Sequence, residues 1–146
     1  MDNDKLMYRD GVSFNQVYSL YVLDKNLRIA MIAAMLDMEE HVKAVSAEIL
    51  AEHFGAKSAD YLQFRNYSNK KKRKPQFTLT AIIEKLNQTM KTDRDPIRLC
   101  REKHGDVPPW ILFRGIYFST MVNFIDQFKN SEKDALAQKL LDNTSL

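Results

Sequence analysis

Five consecutive cations, Lys70-Lys71-Lys72-Arg73-Lys74, with Arg65 shortly before them, are the residues whose type and spacing point most directly to chemistry. Tyr61, Phe64, Tyr67 and Phe77 are interleaved with this run or flank it. Cations at that density neutralise phosphates and release counterions. Aromatic rings stack on unpaired bases at about 1–3 kcal/mol per base, so Arg65, Lys70, Lys71, Lys72, Arg73 and Lys74 are the candidate RNA-binding residues. The competing reading is a solvated loop whose charges serve solubility. Net charge is only +3, so the local density carries the reading and the overall balance does not. Other reactive residue types are scattered. His41 stands beside Glu39 and Glu40 on what reads as an exposed helix face, with Glu39 and Lys43 paired at i, i+4. Cys100 has basic neighbours, Arg98 and Arg101, but no candidate base that would make it a nucleophile. A lone cysteine excludes an internal disulfide, and three scattered histidines leave no CxxC or HxxxH spacing, so no metal and no cofactor are expected. A Gly-rich phosphate loop and a paired-carboxylate signature are both missing.

Helices must position these residues. The 146-residue chain is 45% hydrophobic and 28% charged and holds only four glycines and four prolines, which favours an all-α fold in a single domain over residues 1–146. No stretch of about 18 apolar residues would cross a membrane, and Met-Asp-Asn-Asp-Lys at the start lacks the pattern of a secretory signal. A cytoplasmic location is expected. Ser13 or Asn15 can cap a first helix to about Leu23 that buries Phe14, Val17, Tyr18 and Tyr21. Asp24 reads as the cap of a long helix from about Lys25 to His53, striped by Leu27, Ala30, Met31, Ala34, Met38, Val42, Val45 and Ile49 and ended by Gly55. Residues 58–63 make a further turn, and about 65–76 read as an exposed basic loop broken by Pro75. Thr78 or Thr80 opens a helix to about Met90 with Leu79, Ile82, Ile83 and Leu86 inward. Asp95-Pro96 starts another that ends near His104-Gly105. Ser131, with Asp134 three residues on, resembles a capping box for a last helix to about Leu141.

The segment Val107 to Phe128 is the most apolar. Pro108 and Pro109 suit a first turn, and the apolar residues after Trp110 cover more of a helix surface than an amphipathic helix hides. The expected architecture is therefore an all-α helical bundle with one long central helix packed on a second, strongly apolar helix.

Several of these segments carry a resemblance. Pro-Pro-Trp-Ile-Leu, then Gly115 and Tyr-Phe-Ser-Thr at 117–120, resembles the "P-x-W … F-G-T" segment of the Abi-like (abortive infection, AbiD/AbiF-type) bacterial proteins. Residues 20–28, Leu-Tyr-Val-Leu-Asp-Lys-Asn-Leu-Arg, are similar to that family's "L-Y-x-x-D-x-x-L-R", and Glu39 with Val42-Lys43 falls where it has an "I-E-x-x-L-R" helix. His53-Phe54-Gly55 resembles the aromatic-Gly that closes the family's long helix, and together these cover most of residues 14–141. Lys43 stands where arginine is usual, Arg114 where an acid is common, and Ser119 where glycine is.

The resemblance implies a phage-defence protein that engages RNA in an abortive-infection or toxin–antitoxin setting. Family members are longer, and their later part carries a HEPN-type arginine-to-histidine motif for metal-independent RNA cleavage. No Arg-Asn-x-x-x-His element follows Lys139-Leu140-Leu141, so the chain is expected to lack the family's C-terminal part and to act as a scaffold or shortened form. Arg98 and His104 fit the loose spacing of that motif and are the candidate catalytic residues, arginine for a phosphorane and histidine for a proton at the 2′-oxygen. Their six-residue interval sets them about 240° apart on a straight helix, and Leu99 occupies the usual asparagine position. Besides RNA, the expected partners are a second copy of the chain or another protein, covering apolar surface that the missing half would leave, in a reading without nucleic acid.

Overall fold

The computed structural model describes residues 9–142. Readings placed on residues 1–8 and 143–146, the leader-free start and the final stretch without a family motif, lie outside them. The described residues form seven α-helices and three 3-10 turns, and the pairing of Tyr67 with Phe128 is an isolated antiparallel bridge. Two compact units divide the chain, Met1–Asp37 and Met38–Leu146.

The first unit holds most of α1 (Phe14–Phe54), a helix of 41 residues. Ser13 caps it reciprocally: the Ser13 N–H donates to Gln16 Oε1 at 3.0 Å and the Gln16 N–H donates to Ser13 Oγ at 3.3 Å. The expected break at Asp24 does not occur. Asp24 Oδ2 lies 2.8 Å from Arg28 Nη2 across one turn, a helix-stabilising pair, and no glycine or proline stands between Gly11 and Gly55 to stop propagation. The expected buried faces are a second correction. Phe14 is 80% exposed, and eleven large apolar side chains from Phe14 to Leu36 are each more than half exposed. Phe14, Tyr18 and Tyr21 stack on one another along the helix, with ring centroids 6.2 and 6.4 Å apart.

In the second unit the end of α1 buries Val45, Ala47, Ile49 and Leu50. After it come α2 (Ser58–Tyr61), α3 (Leu79–Met90), α4 (Ile97–His104), α5 (Pro109–Leu112), α6 (Phe118–Asp126) and α7 (Asn130–Asp142). Long α1 packs on α7: Val45 and Ile49 meet Leu136, His53 Nδ1 lies 3.1 Å from Glu132 Oε1, and Lys139 Nζ reaches Glu48 at 2.9 Å and Glu52 at 3.0 Å. Ala47 and Leu50 join the main core with Leu79, Leu86, Phe113, Met121 and Phe124.

The apolar segment after Pro108 is not one helix. It is α5, a 3-10 turn over Phe113–Gly115, an extended Ile116 and Tyr117, and then α6. Periodicity could not see why. A Cβ on Gly115 would sit 2.5 Å from Ile97 Cδ1 and 3.0 Å from Thr89 Cγ2, so the backbone there is pressed against α3 and α4. The break leaves the Ile116 carbonyl free, and Lys43 Nζ donates to it at 2.7 Å while also pairing with Glu39 at 2.5 Å. Trp110, expected in a buried helix, is half exposed.

Other local readings follow their physics. Thr78 caps α3, accepting from the Ala81 N–H at 3.4 Å, and Leu79, Ile82, Ile83 and Leu86 are buried. Arg101 closes the other end, donating at 2.6 Å to the Met90 carbonyl, which the helix terminus leaves without a partner, and at 3.1 Å to the Thr92 carbonyl just beyond it. Gly105 ends α4 at φ +72°, in the left-handed region. Ser131 is not the cap of α7, which begins at Asn130; its hydroxyl donates to Glu132 Oε2 at 2.8 Å. Among the described residues no helix is long and apolar enough to cross a membrane.

Candidate nucleic-acid interface

The basic run is a loop pinned at both ends and in the middle. Before it, Tyr67 is buried against Phe124, centroids 4.9 Å apart, and its hydroxyl donates to the Tyr61 carbonyl; the Tyr61 hydroxyl donates in turn to the Val107 carbonyl at 2.7 Å. Burial, more than the neighbouring Asp106, holds the Tyr61 phenol far above its ordinary range, so both hydroxyls act as donors. The Ser68 N–H donates to the Gln127 carbonyl at 2.7 Å. After the run, Pro75–Phe77 turns as a 3-10 helix into Thr78. The middle is fixed by Gln127 at the end of α6. Its fully buried side chain accepts the Lys70 N–H at 2.7 Å and donates to the Lys70 carbonyl at 3.3 Å and the Phe77 carbonyl at 3.5 Å.

So held, the loop presents its cations unevenly. Lys71, Arg73 and Lys74 are exposed. Lys70 and Lys72 turn toward Asp126: Lys70 Nζ lies 3.4 Å from Oδ1, and Lys72 Nζ pairs with Oδ2. Arg65 is exposed on a 3-10 turn, its carbonyl accepting from Lys129 Nζ at 2.7 Å. Of the four aromatics noted beside the run, Tyr61 and Tyr67 are buried and Phe77 is half-buried, so only Phe64 offers a ring that is about half exposed to a base.

Two cations at the start of α7 belong to this face and were missed by sequence reasoning. Lys129 joins it through Arg65, and Lys133 Nζ donates to the Asp126 carbonyl at 2.9 Å and lies 3.5 Å from its Oδ1. Lys129 and Lys133 are one helical turn apart, but nothing local in the sequence ties that pair to the loop. Lys133 is pushed down to about 8, first by the neighbouring Lys70 amino group, then by partial loss of water, then by the charges of Lys70 and Lys72.

The catalytic candidates lie elsewhere. Arg98 is clamped on Asp95, Nε to Oδ1 at 3.2 Å and Nη2 to Oδ2 at 3.4 Å, a pair that strengthens its hold on its proton. His104 sits exposed in the last turn of the same α4, so the helix carries the two away from each other by about 9 Å of rise. Cys100 Sγ is 3.5 Å from the Asp106 carbonyl. His53 and Glu132 have carboxylate–imidazole geometry, but the nearby Ser131 hydroxyl is bonded to the carboxylate, not to the ring. Burial would raise Glu132, yet hydrogen bonds from Ser131 and His53 outweigh it and hold the carboxyl below its ordinary range, as suits a carboxylate whose hydrogen bond ties α1 to α7. Among the described residues no group of His, Cys, Asp and Glu could hold a metal ion.

No curated protein and no solved structure matches the chain. The sequence pattern of the family described as Abi-like protein matches residues 1–145, nearly the whole of it. An all-α protein matched by that pattern over nearly its whole length, this chain belongs to the Abi-like protein family.

Proposed function

We propose that the chain engages RNA in an abortive-infection response, holding the strand on the basic face formed by the 65–74 loop and the start of α7 and serving as a scaffold, not as the cutting centre. The supporting observation is that a run of cations is anchored by buried Gln127 and Tyr67 against a second set, Lys129 and Lys133. A loop kept only for solubility has no need of a buried anchor. The test is fluorescence anisotropy with single-stranded RNA across a salt series, wild type against a variant with residues 70–74 made neutral, with gels watching for cleavage. Losing five phosphate contacts would flatten the log–log salt slope by up to about 3.5. Equal binding by the two proteins sinks the reading.

The first unit favours a second reading, self-association. Around α1, Leu20, Leu23, Leu27, Met31 and Ala34 share one face at spacings of three and four, with no charged residue within about 50° of its centre, whereas Lys25 and Arg28 interrupt the opposite face. Two antiparallel copies crossing at Leu27 set Leu20 of one against Ala34 of the other, large against small, so the face complements itself about a two-fold axis. At roughly 60 Å² for each part-covered side chain, the five residues of this face in two copies offer roughly 600 Å², so a stable dimer must also cover neighbouring apolar residues of the exposed stretch. Sedimentation equilibrium should give a dimer that Leu23→Glu with Leu27→Glu dissociates; a monomeric wild type at tens of micromolar refutes it.

A further inference from the structure

We propose that Lys70, Lys72 and Lys133 form a seat for one backbone phosphate of a bound RNA strand, with Asp126 as the internal anion that the phosphate replaces. The inference rests on the RNA reading above and assigns its central contact. Three ammonium groups from two separate stretches of chain converge on one carboxylate. Lys70 lies 3.4 Å and Lys133 3.5 Å from Asp126 Oδ1, and Lys72 pairs with Oδ2. One negative charge against three positive leaves a surplus that a phosphate with several acceptor oxygens answers better than a single carboxylate does.

The cluster is built, not a chance meeting of free side chains. Lys72 and Lys133 keep only 24% and 28% of their side-chain surface, so their stems are packed and their amino groups placed. The backbone of Lys70 is held by Gln127, and Lys133 is tethered to the Asp126 carbonyl at 2.9 Å. Asp126 keeps 40% exposure, which leaves its side chain room to swing out as a phosphate enters. The charged groups facing Lys133 are Asp126 at the end of α6 and Lys70 and Lys72 on the loop; on its own helix, Lys129 is engaged by Arg65 and Glu132 by His53 and Ser131.

Seating a phosphate also has a proton signature. The neighbouring Lys70 amino group, partial loss of water and the charges of Lys70 and Lys72 together hold Lys133 at about 8, so it gives up its proton as pH rises through that value. A phosphate restores it. Binding therefore takes up a proton, and affinity falls as pH rises through that value while ordinary lysines stay charged.

The experiment uses a labelled oligoadenylate at fixed ionic strength, with anisotropy read at about pH 7 and about pH 9. Wild-type affinity is expected to fall by up to about tenfold over that span, Lys133→Arg to bind almost equally at both, and Lys133→Met to bind at pH 7 as weakly as wild type at pH 9. Asp126→Asn, which removes the competing anion, is expected to bind more tightly than wild type. Lys91→Met, which neutralises an exposed lysine after α3, is the charge-matched control. If Lys133→Met matches Lys91→Met and the wild type is flat between the two pH values, the seat is refuted, while loss of binding on neutralising 70–74 would leave the RNA reading standing. If the wild type binds no RNA, both fall. A shift of the Lys133 amino NMR signal with inorganic phosphate but not with RNA overturns the assignment to a strand.

Discussion

Replacing Gln127 by leucine separates placement of the basic loop from its charge. The side chain is fully buried and makes three contacts, of which only the Lys70 N–H to Oε1 bond at 2.7 Å is short; the others, 3.3 and 3.5 Å, contribute little. Losing one good bond costs about 0.5–1.5 kcal/mol, and leaving the half-buried Phe77 carbonyl without its donor adds a fraction of the usual penalty, so the global loss should be about 1–2 kcal/mol. In a chain of this size that lowers Tm by about 3–8 °C. The larger effect is local. Without this anchor the loop between Ser68 and Pro75 keeps only the side-chain pairs of Lys70 and Lys72 with Asp126, and re-ordering even one residue on binding costs about 1–2 kcal/mol, so RNA affinity should drop by roughly tenfold although no charge has changed. Hydrogen exchange at the Lys70 amide, thermal denaturation and anisotropy read the three consequences. If Gln127→Leu keeps the Lys70 amide protected and binds RNA as wild type does, the loop is held by something other than this side chain and the reasoning fails.

Ser46 Oγ is fully buried without a partner, so Ser46→Ala should stabilise by about 1 kcal/mol, read as a higher urea midpoint at unchanged slope. Arg101→Met keeps the stem but uncaps α3, and should cost about 1–3 kcal/mol with faster exchange confined to the last turn of that helix. Glu132 is held below its ordinary range, so its contribution is present at neutral pH and fades as pH falls below about 4; the stability gap between wild type and Glu132→Gln should close over that acid window, and a gap that widens there would contradict the assignment.

Features governed by near neighbours in sequence were legible. Thr78, one of two candidate openings, precedes the i, i+3, i+4 stripe of α3, Gly105 marks the end of α4, and Ser13, one of two candidate caps, opens α1. Errors came where residue type or spacing alone did not decide. Asp24 has the type of a cap, yet Arg28 one turn on gives its carboxylate a partner inside a continuing helix. Val107–Phe128 has the composition of one buried helix, but it breaks around Gly115, where the backbone lies close to Ile97 and Thr89, a proximity that no periodicity contains. Apolar faces in the first half of α1 were read from their spacing, and spacing says that a face is sticky, not that this chain covers it. At the candidate site the loop cations were plain in the sequence. Lys129 and Lys133 were invisible because their membership depends on where α7 lies beside the loop.

The close approach of Gly115 to Ile97 also couples two positions in heredity. With 2.5 Å between Ile97 Cδ1 and the place where a side chain at 115 would begin, residues 97 and 115 divide one volume between them. A lineage that acquires alanine at 115 is helped by a shorter side chain at 97, and one that first shortens 97 relaxes the tighter of the two contacts that keep 115 bare, leaving Thr89 Cγ2 at 3.0 Å. Substitutions at the two sites should therefore arrive in a fixed order, 97 before 115, with the reverse order passing through an overpacked intermediate about 1–3 kcal/mol less stable.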